Sequence, residues 1–249
     1  MIKTAVCGAA GKMGKEVVQA IKECHDTELT ALIDISSSEM YHSIEDAAKN
    51  CQIEVMIDFT QPKSIFANAE YCLNNGIKMV IGTTGLSSCE IEALKNISEK
   101  NSTACLIAPN FSTGAVLMMK FAQQAAKYFD NAEIIELHHN QKKDAPSGTA
   151  VKTALMMSAE KENFTYENCQ EKEIIQGARG GKSYADIHIH SIRMPGYTAS
   201  QEVILGAKGQ ILTIRHDTSD RKCYMQGVLL AVKHVNEVND FTYGLENIL

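Results

Sequence analysis

Short apolar runs alternate with longer amphipathic segments over the first hundred residues of the chain. The runs are rich in β-branched residues and predict buried strands over residues 4–7, 29–33, 55–59, 79–81 and 104–108. The segments between them predict helices over residues 12–24, 62–75 and 88–100, with Pro62 opening the second, Asn75-Gly76 closing it and Ser88 capping the third. Strands that alternate with helices in this way indicate a parallel, doubly wound α/β domain.

The pattern changes after Pro109. Residues 113–128 are apolar on most faces, which predicts a buried helix, and further strands are predicted over residues 132–137, 187–192, 203–205 and 211–214. Turns at Gly180-Gly181 and Pro195-Gly196 separate parts of this region. Clustered strands with fewer helices favour an α+β domain on an open mixed sheet. We expect a first domain over residues 1–110 and 217–249, rejoined by a helix over 222–237, and a second domain over 111–216.

Composition narrows the class of partner. The formal net charge of the 249 residues is −6, and only four of the 24 basic residues are arginine, which argues against a nucleic-acid partner. The apolar runs fall far short of the roughly 20 residues that a membrane-spanning helix needs. Because the first residues lead directly into a predicted strand, we expect no signal peptide, no membrane partner and a cytoplasmic location.

The eight cysteines are scattered, and no Cys-x-x-Cys pair exists among them. We therefore expect free thiols in a reducing compartment, Cys169 included, and no metal site. His188 and His190 share one face of a predicted strand, but no third ligand stands at a usable spacing. We expect these two histidines to face solvent or an interface.

A glycine-rich loop lies between the first predicted strand and the first predicted helix, with the sequence Gly8-Ala9-Ala10-Gly11-Lys12-Met13-Gly14. Glycines allow the backbone to turn tightly and to approach a pyrophosphate, which would rest on the helix N-terminus. Asp34 follows at the end of the second predicted strand, where an acidic side chain accepts hydrogen bonds from an adenosine ribose. The loop therefore predicts a Rossmann-type dinucleotide site, and the alternative is a plain tight turn.

Three further strand ends carry polar residues at the rim where parallel sheets bind ligands. They are Asp58 with Thr60, the run Gly82-Thr83-Thr84-Gly85, and the run Ala108-Pro109-Asn110-Phe111. Each could also be an ordinary polar turn or loop cap.

The densest group of chemically active residues spans 133–150. A predicted strand delivers His138 and His139, a loop delivers Lys142, and Ser147-Gly148-Thr149 opens a helix. Free N–H groups at a helix start, a hydroxyl and a lysine suit a carboxylate ligand, and a histidine can move protons near neutral pH. The alternative is a histidine pair that binds a metal or faces solvent.

The run E-I-I-E-x-H-H-x-x-K-x-D-A-P-S-G-T-A over residues 133–150 resembles the signature of the 4-hydroxy-tetrahydrodipicolinate reductase (dihydrodipicolinate reductase) family. The glycine loop, the Ile57-Asp58-Phe59-Thr60 strand end, the run Val80 to Gly85 and Asn110-Phe111-Ser112 follow in the family's order, so the resemblance covers essentially the whole chain. It implies NAD(P)H-dependent reduction of a cyclic imine dicarboxylate on the diaminopimelate and lysine route. It also implies a homotetramer that assembles through the second domain.

Residue by residue, the resemblance implies that His138 is the acid/base residue and Lys142 the proton-donating, substrate-facing lysine. The implied substrate-binding residues are His139, Lys142, Ser147, Gly148 and Thr149. The implied cofactor-binding residues are Gly8, Ala9, Ala10, Gly11, Lys12, Met13, Asp34, Gly82, Thr83, Thr84, Ala108, Pro109, Asn110 and Phe111.

Two other functions remain open on the sequence alone: another two-domain dehydrogenase, such as one acting on an amino acid, and a non-catalytic dinucleotide sensor. The group from His138 to Thr149 argues against both, because it offers a dicarboxylate site and a proton-transfer pair. Asp34 followed by the uncharged Ile35 favours NADH, and Lys12 keeps NADPH usable.

Overall fold

The computed structural model describes residues 1–164 and 172–249 and divides the chain into two compact units. The first unit combines Met1–Thr113 with Arg221–Leu249, and the second is Gly114–Asp220. Both junctions lie a few residues beyond the predicted boundaries at 110/111 and 216/217. Cys169 lies outside the described residues, and the other seven cysteines are free thiols.

The N-terminal part of the first unit alternates strands and helices. Its elements are β1 (Ile2–Cys7), α1 (Lys12–Glu23), β2 (Thr27–Ile33), α2 (Ile44–Asn50), β3 (Val55–Asp58), α3 (Pro62–Asn74), β4 (Lys78–Ile81), α4 (Ser88–Asn101) and β5 (Cys105–Ile107). The cap of α4 is Ser87 and not the predicted Ser88, because Ser87 Oγ accepts from the Glu90 N–H while the Glu90 carboxylate accepts from the Ser87 N–H.

The chain continues through the second unit and then returns to the first. The elements are α5 (Thr113–Ala126), β6 (Asn131–His138), α6 (Gly148–Ser158), β7 (Gly181–Lys182), β8 (His188–Arg193), β9 (Ala199–Ala207), β10 (Gln210–Thr218), α7 (Met225–Glu237) and β11 (Phe241–Tyr243). The predicted start of the last helix at 222 is wrong, since Arg221–Tyr224 forms a 3₁₀ turn before α7. Within the described residues, we find no helix with the length and apolarity to cross a membrane.

The sheet of the first unit is parallel throughout and has the order β11-β5-β4-β3-β1-β2. All four residues of β3 are buried, as expected for a strand covered on both faces. The chain order reverses between β1 and β3, and in such sheets ligands bind beyond the carboxyl ends of the strands at this point. The predicted doubly wound fold is confirmed.

The sheet of the second unit is mixed and has the order β10-β9-β6-β8-β7. Strands β6 and β8 run parallel, whereas β6 with β9, β9 with β10 and β7 with β8 are antiparallel. Apolar residues of α5 and α6, among them Ala122 and Met157, pack with Ile134 and Val203 of the sheet. Since β6 is paired on both sides, the residues at its carboxyl end are firmly held.

Candidate active site

The turn between β1 and α1 is shaped by close backbone approach. Gly8 has φ +81°, and a Cβ on Gly14 would lie 2.0 Å from the Gly8 carbonyl oxygen. Helix α1 therefore starts against the end of β1, which only glycine permits. Gly11 is the N-cap, no side chain caps this helix and its first turn holds no acidic residue. The N–H groups of the first turn are thus left to bind an anion.

Asp34 lies beside this loop, just after β2. Its Oδ2 accepts a hydrogen bond from the Ala10 N–H at 2.9 Å, and its Oδ1 accepts from the backbone and hydroxyl of Ser36 at 2.9 and 2.6 Å. The Ser36 hydroxyl bond outweighs burial and holds the pKa of Asp34 below its usual range, so the side chain is ionised at neutral pH. The neighbouring Ile35 side chain is 84% exposed and carries no charge.

Asp58 joins two of the strand-end loops. It is fully buried, and its Oδ1 accepts from the Thr60 hydroxyl at 2.7 Å and from the Thr83 hydroxyl at 2.8 Å. Its Oδ2 accepts from the Asn68 amide at 2.8 Å. Asp58 thus connects the loop after β3 to the loop after β4. The link between the two loops was not predicted for Asp58, although an acidic residue at the end of a wholly buried strand indicates that it is held by several donors.

The remaining predicted cofactor residues meet at the same edge of the sheet. The rings of Phe59 and Phe111 have centroids 5.8 Å apart, and a Cβ on Gly82 would lie 2.2 Å from the Phe59 ring. Thr83, Thr84 and Pro109 line one small cavity of about 120 Å³ together with Tyr243 and four further residues. The sequence pattern does not indicate Tyr243, because the three-residue strand β11 is too short to be predicted.

In the second unit, β6 places Glu136 and His138 on one face of the sheet, because alternate residues of a strand point the same way. Glu136 is fully buried, and its Oε2 lies 2.5 Å from His138 Nδ1. Arg193 donates two hydrogen bonds to the same carboxylate, at 2.8 Å to Oε2 and 2.7 Å to Oε1. Burial raises the pKa of Glu136, but hydrogen bonds from Arg193, Ser191 and His138 outweigh it, so the pKa lies below its ordinary value.

The loop after β6 carries the predicted substrate residues. Lys142 Nζ pairs with both carboxylate oxygens of Asp144, at 2.9 and 2.8 Å. Ser147 is the N-cap of α6, its hydroxyl accepting from the Ala150 N–H. Gly148 and Thr149 begin this helix, and no atom of residues 1–146, 153–164 or 172–249 lies within 4 Å of where a Cβ on Gly148 would point. The helix start is therefore open to a ligand, and the exposed His139 precedes it in the loop.

His138 is a neutral imidazole with a defined tautomer. Burial lowers its pKa below the ordinary value, the charges of Lys142 and Arg193 lower it further, and only Glu136 acts in the opposite direction. Because the ionised Glu136 can only accept, the proton of the neutral ring must sit on Nδ1. Nε2 is then the nitrogen that can exchange a proton with a ligand.

His188 does not face solvent, which was one of the two environments predicted for it. It is buried, and its Nδ1 lies 2.6 Å from the Arg179 carbonyl oxygen. His190 instead pairs with Glu133, Nε2 to Oε2 at 2.6 Å. Over residues 1–164 and 172–249, no three His, Cys, Asp or Glu side chains are grouped so that they could hold a metal ion.

The first unit is a parallel sheet with this glycine loop and carboxylate, and the second is an α+β unit with a histidine and a lysine beside a helix start. This is the organisation of two-domain dinucleotide-binding reductases. Comparison with protein families narrows this class. The family described as dihydrodipicolinate reductase, N-terminus, matches residues 2–111, and its C-terminus counterpart matches residues 114–249. The chain belongs to the dihydrodipicolinate reductase family.

Individual relatives agree with this membership. A 4-hydroxy-tetrahydrodipicolinate reductase from Listeria innocua is 47% identical, with both chains fully covered. One from a Picosynechococcus species is 46% identical over all of this chain and 98% of the relative. A dipicolinate-bound dihydrodipicolinate reductase from Paenisporosarcina sp. TG-14 superposes with a TM-score of 0.92 at 41% identity, again over both complete chains. The resemblance expected from the sequence is confirmed.

Proposed function

We propose that this chain reduces 4-hydroxy-tetrahydrodipicolinate to tetrahydrodipicolinate with a reduced nicotinamide dinucleotide, on the diaminopimelate and lysine route. The observation that carries the proposal is the open start of α6 beside Lys142 and the Glu136-paired His138, in a chain of this family. A different two-domain dehydrogenase or a non-catalytic sensor is not favoured, because relatives matched over 98–100% of their own length carry the reductase name.

The first unit fits a dinucleotide. Gly8 and Gly14 leave no room for a Cβ, the uncapped start of α1 suits a pyrophosphate, and ionised Asp34 suits ribose hydroxyls. When bound, the cofactor supplies a hydride. The residues that would hold it are Gly8, Ala9, Ala10, Gly11, Lys12, Met13, Asp34, Gly82, Thr83, Thr84, Ala108, Pro109, Asn110 and Phe111.

The second unit would hold the substrate. Its two carboxylates would take the cation of Lys142, the side chain of His139, the hydroxyl of Ser147, and the N–H groups of Gly148 and Thr149 at the start of α6. In this arrangement, a carboxylate of the substrate competes with Asp144 for Lys142. The site is therefore suited to a dianion, which agrees with the dicarboxylate expected from the sequence.

The chemistry to be assisted has two stages. Loss of the 4-hydroxyl as water leaves a conjugated imine, and reduction at C4 moves an electron pair toward the ring nitrogen. The resulting enamine anion must then gain one proton at the ring carbon between C4 and the imine carbon, which restores the imine. A cationic Lys142 stabilises the charge that develops, and His138 Nε2 is the atom that exchanges protons.

A coupled assay that generates the unstable substrate in place tests this function. We expect NADH oxidation that depends on both the substrate-generating step and the chain. NADH that binds, as followed by its fluorescence, but is not oxidised in that assay would contradict the proposal and indicate a dinucleotide sensor.

We propose that NADH is the preferred cofactor and that NADPH remains usable. Asp34 would repel a 2′-phosphate, and Ile35 offers no charge to bind one, which leaves Lys12 as a flexible point charge. Relative to NADH, NADPH should lose on the order of 1–2 kcal/mol of stabilisation, or roughly 5–30-fold in kcat/KM, as for one charge-assisted bond. Ile35→Arg should narrow this gap, and Ile35→Gln, which is polar but uncharged, serves as its control. A wild-type enzyme that favours NADPH at physiological salt would refute this assignment.

We also propose a cytoplasmic homotetramer with no nucleic-acid or membrane partner, on the strength of the family resemblance and the acidic net charge of −6. Light scattering coupled to size exclusion should give about four times the chain mass of 27.3 kDa. A monomer or dimer at assay concentrations would contradict the tetramer.

A further inference from the structure

One buried carboxylate receives donors from every part of the candidate substrate site. Glu136 accepts from His138 on its own strand and from Arg193 on β8. Its Oε1 also accepts from the Ser147 N–H at the start of α6, at 3.2 Å. A carboxylate has about four acceptor positions, so these bonds use nearly all of them. Glu136 is therefore saturated as an acceptor.

Arg193 extends the same network into the loop that carries Lys142. Its NH2 donates to the Asp144 carbonyl oxygen at 2.7 Å as well as to Glu136 Oε1. The Asp144 side chain in turn holds Lys142. The pair of Glu136 and Arg193 thus fixes the acid/base histidine, the lysine loop and the helix start relative to one another.

We propose that Glu136 and Arg193 are positioning residues for the reduction, a role that rests on the proposed function. Glu136 holds the His138 proton on Nδ1 and leaves Nε2 for proton exchange, while Arg193 limits how much basicity Glu136 confers on the ring. Neither residue needs to touch substrate or cofactor to do this.

The basicity of His138 depends on a balance between the charges around its imidazole. An unopposed buried carboxylate would make His138 strongly basic, and an unopposed arginine would keep it from ever taking up a proton. The charged groups that act on His138 are Glu136 on β6, Arg193 on β8 and Lys142 in the following loop. The residue that faces it across β9 is Ala199, which does not ionise.

The effects of Glu136 and Arg193 on His138 can be distinguished, because the two residues shift its ionisation in opposite directions. Glu136→Gln removes the charge that favours the imidazolium, so the ionisation of His138 in the pH profile of kcat should move to lower pH. Arg193→Gln removes a charge that disfavours it, so the same ionisation should move to higher pH. Each shift should be about one pH unit or more, as for an opposite or like charge a few ångströms away. A general loosening of the site would leave the His138 ionisation unmoved in both variants, or would move it in the same direction in both.

The rate should change together with the pH profile. Glu136→Gln should lower kcat by about 10²-fold, because a histidine without its orienting carboxylate samples the wrong tautomer. KM for NADH should change less than about twofold, since the residues proposed to hold the cofactor lie in the first unit. Glu136→Asp keeps the charge and should restore the wild-type position of the His138 ionisation.

Glu133→Gln is the matched control. Glu133 stands on the opposite face of the same strand and also pairs with an arginine and a histidine, at 2.6 Å to Arg179 NH2 and 2.6 Å to His190 Nε2. The substitution removes an equivalent carboxylate without touching the Glu136 network. It should leave the His138 ionisation in place.

Nitrogen NMR of the histidine rings gives a readout independent of turnover. Wild-type His138 should show the Nδ1–H tautomer, and Glu136→Gln should show a mixture. An Nε2–H tautomer in the wild type, or a His138 ionisation unmoved by Glu136→Gln and Arg193→Gln, would overturn the proposal even in an active reductase. If the Nδ1–H tautomer is present but the protein has no reductase activity, the proposed function is refuted, whereas the positioning of His138 by Glu136 is still supported. If Glu136→Gln fails to fold, the wild-type tautomer and Arg193→Gln decide.

Discussion

Replacing His138 by Gln, or Lys142 by Ala, should lower kcat by about 10²-fold or more, the usual contribution of a positioned acid or base. His138→Gln removes the Nε2 atom proposed to exchange protons, and Lys142→Ala removes the cation proposed to stabilise charge on the substrate nitrogen. Steady-state rates with the coupled assay measure both effects. NADH affinity should stay nearly unchanged, because neither residue belongs to the first unit.

Lys143→Ala is the control for the lysine, since Lys143 is the next residue of the same loop and is exposed. It should retain nearly the full rate, because it changes the local charge equally without removing the lysine that Asp144 orients. Near wild-type turnover of either His138→Gln or Lys142→Ala would mean that the roles have been assigned to the wrong residues.

Gly14→Ala should destabilise the first unit and abolish most of its cofactor binding. A helical alanine normally gains about 1 kcal/mol over glycine, but here its Cβ would lie 2.0 Å from the Gly8 carbonyl oxygen. The backbone at Gly8 cannot rotate away as a side chain can, so the steric clash outweighs the gain in helix propensity. The free energy of unfolding should therefore fall by about 1–3 kcal/mol. Urea denaturation measures this loss, and NADH fluorescence titration should show affinity lower by about tenfold or more, as expected when a misplaced loop loses its phosphate contacts.

Gly11→Ala separates binding from stability. Its Cβ would meet the Gly8 carbonyl oxygen at 3.2 Å, a tight contact that small shifts relieve. It should weaken NADH binding, because the added methyl group projects from the loop proposed to face the pyrophosphate, with a much smaller change in unfolding. Equal stability of the Gly14→Ala and wild-type proteins would show that the close approach of α1 to β1 is not required.

The first sheet was predictable because strands buried on both faces form continuous apolar runs. Helix α2 was not predictable from the sequence, since it has seven residues and buries only Ile44 and Ala47, which are too few to make a periodic signal. Strand β11 has three residues and is defined by its parallel pairing with β5, a contact between segments more than a hundred residues apart. Strand β9 extends well beyond the predicted 203–205 because its polar ends are held by pairing with β6 and β10.

The candidate site was predictable where its residues are close in sequence. His138, Lys142 and Ser147 fall in one short run, so their chemistry could be considered together. Arg193 could not be assigned to them, because only the parallel register of β6 and β8 places it opposite His138. Glu136 was part of the recognised motif, yet its burial and its saturation by donors are properties of the folded sheet.

The first unit is built from two stretches of chain, and this has a consequence for how the protein is made. A ribosome synthesises residues 1–113 and then the whole of the second unit before it adds α7, whose Val228 and Val232 are fully buried, and β11, which covers the edge of β5. During that interval the nascent sheet lacks part of its core and has an uncovered edge at β5, the kind of edge that pairs with other chains. The second unit is contiguous, so all of its residues are made before α7. Completion of the dinucleotide-binding unit thus waits until Arg221–Leu249 has been synthesised, and before that point the nascent chain is the form in need of a chaperone.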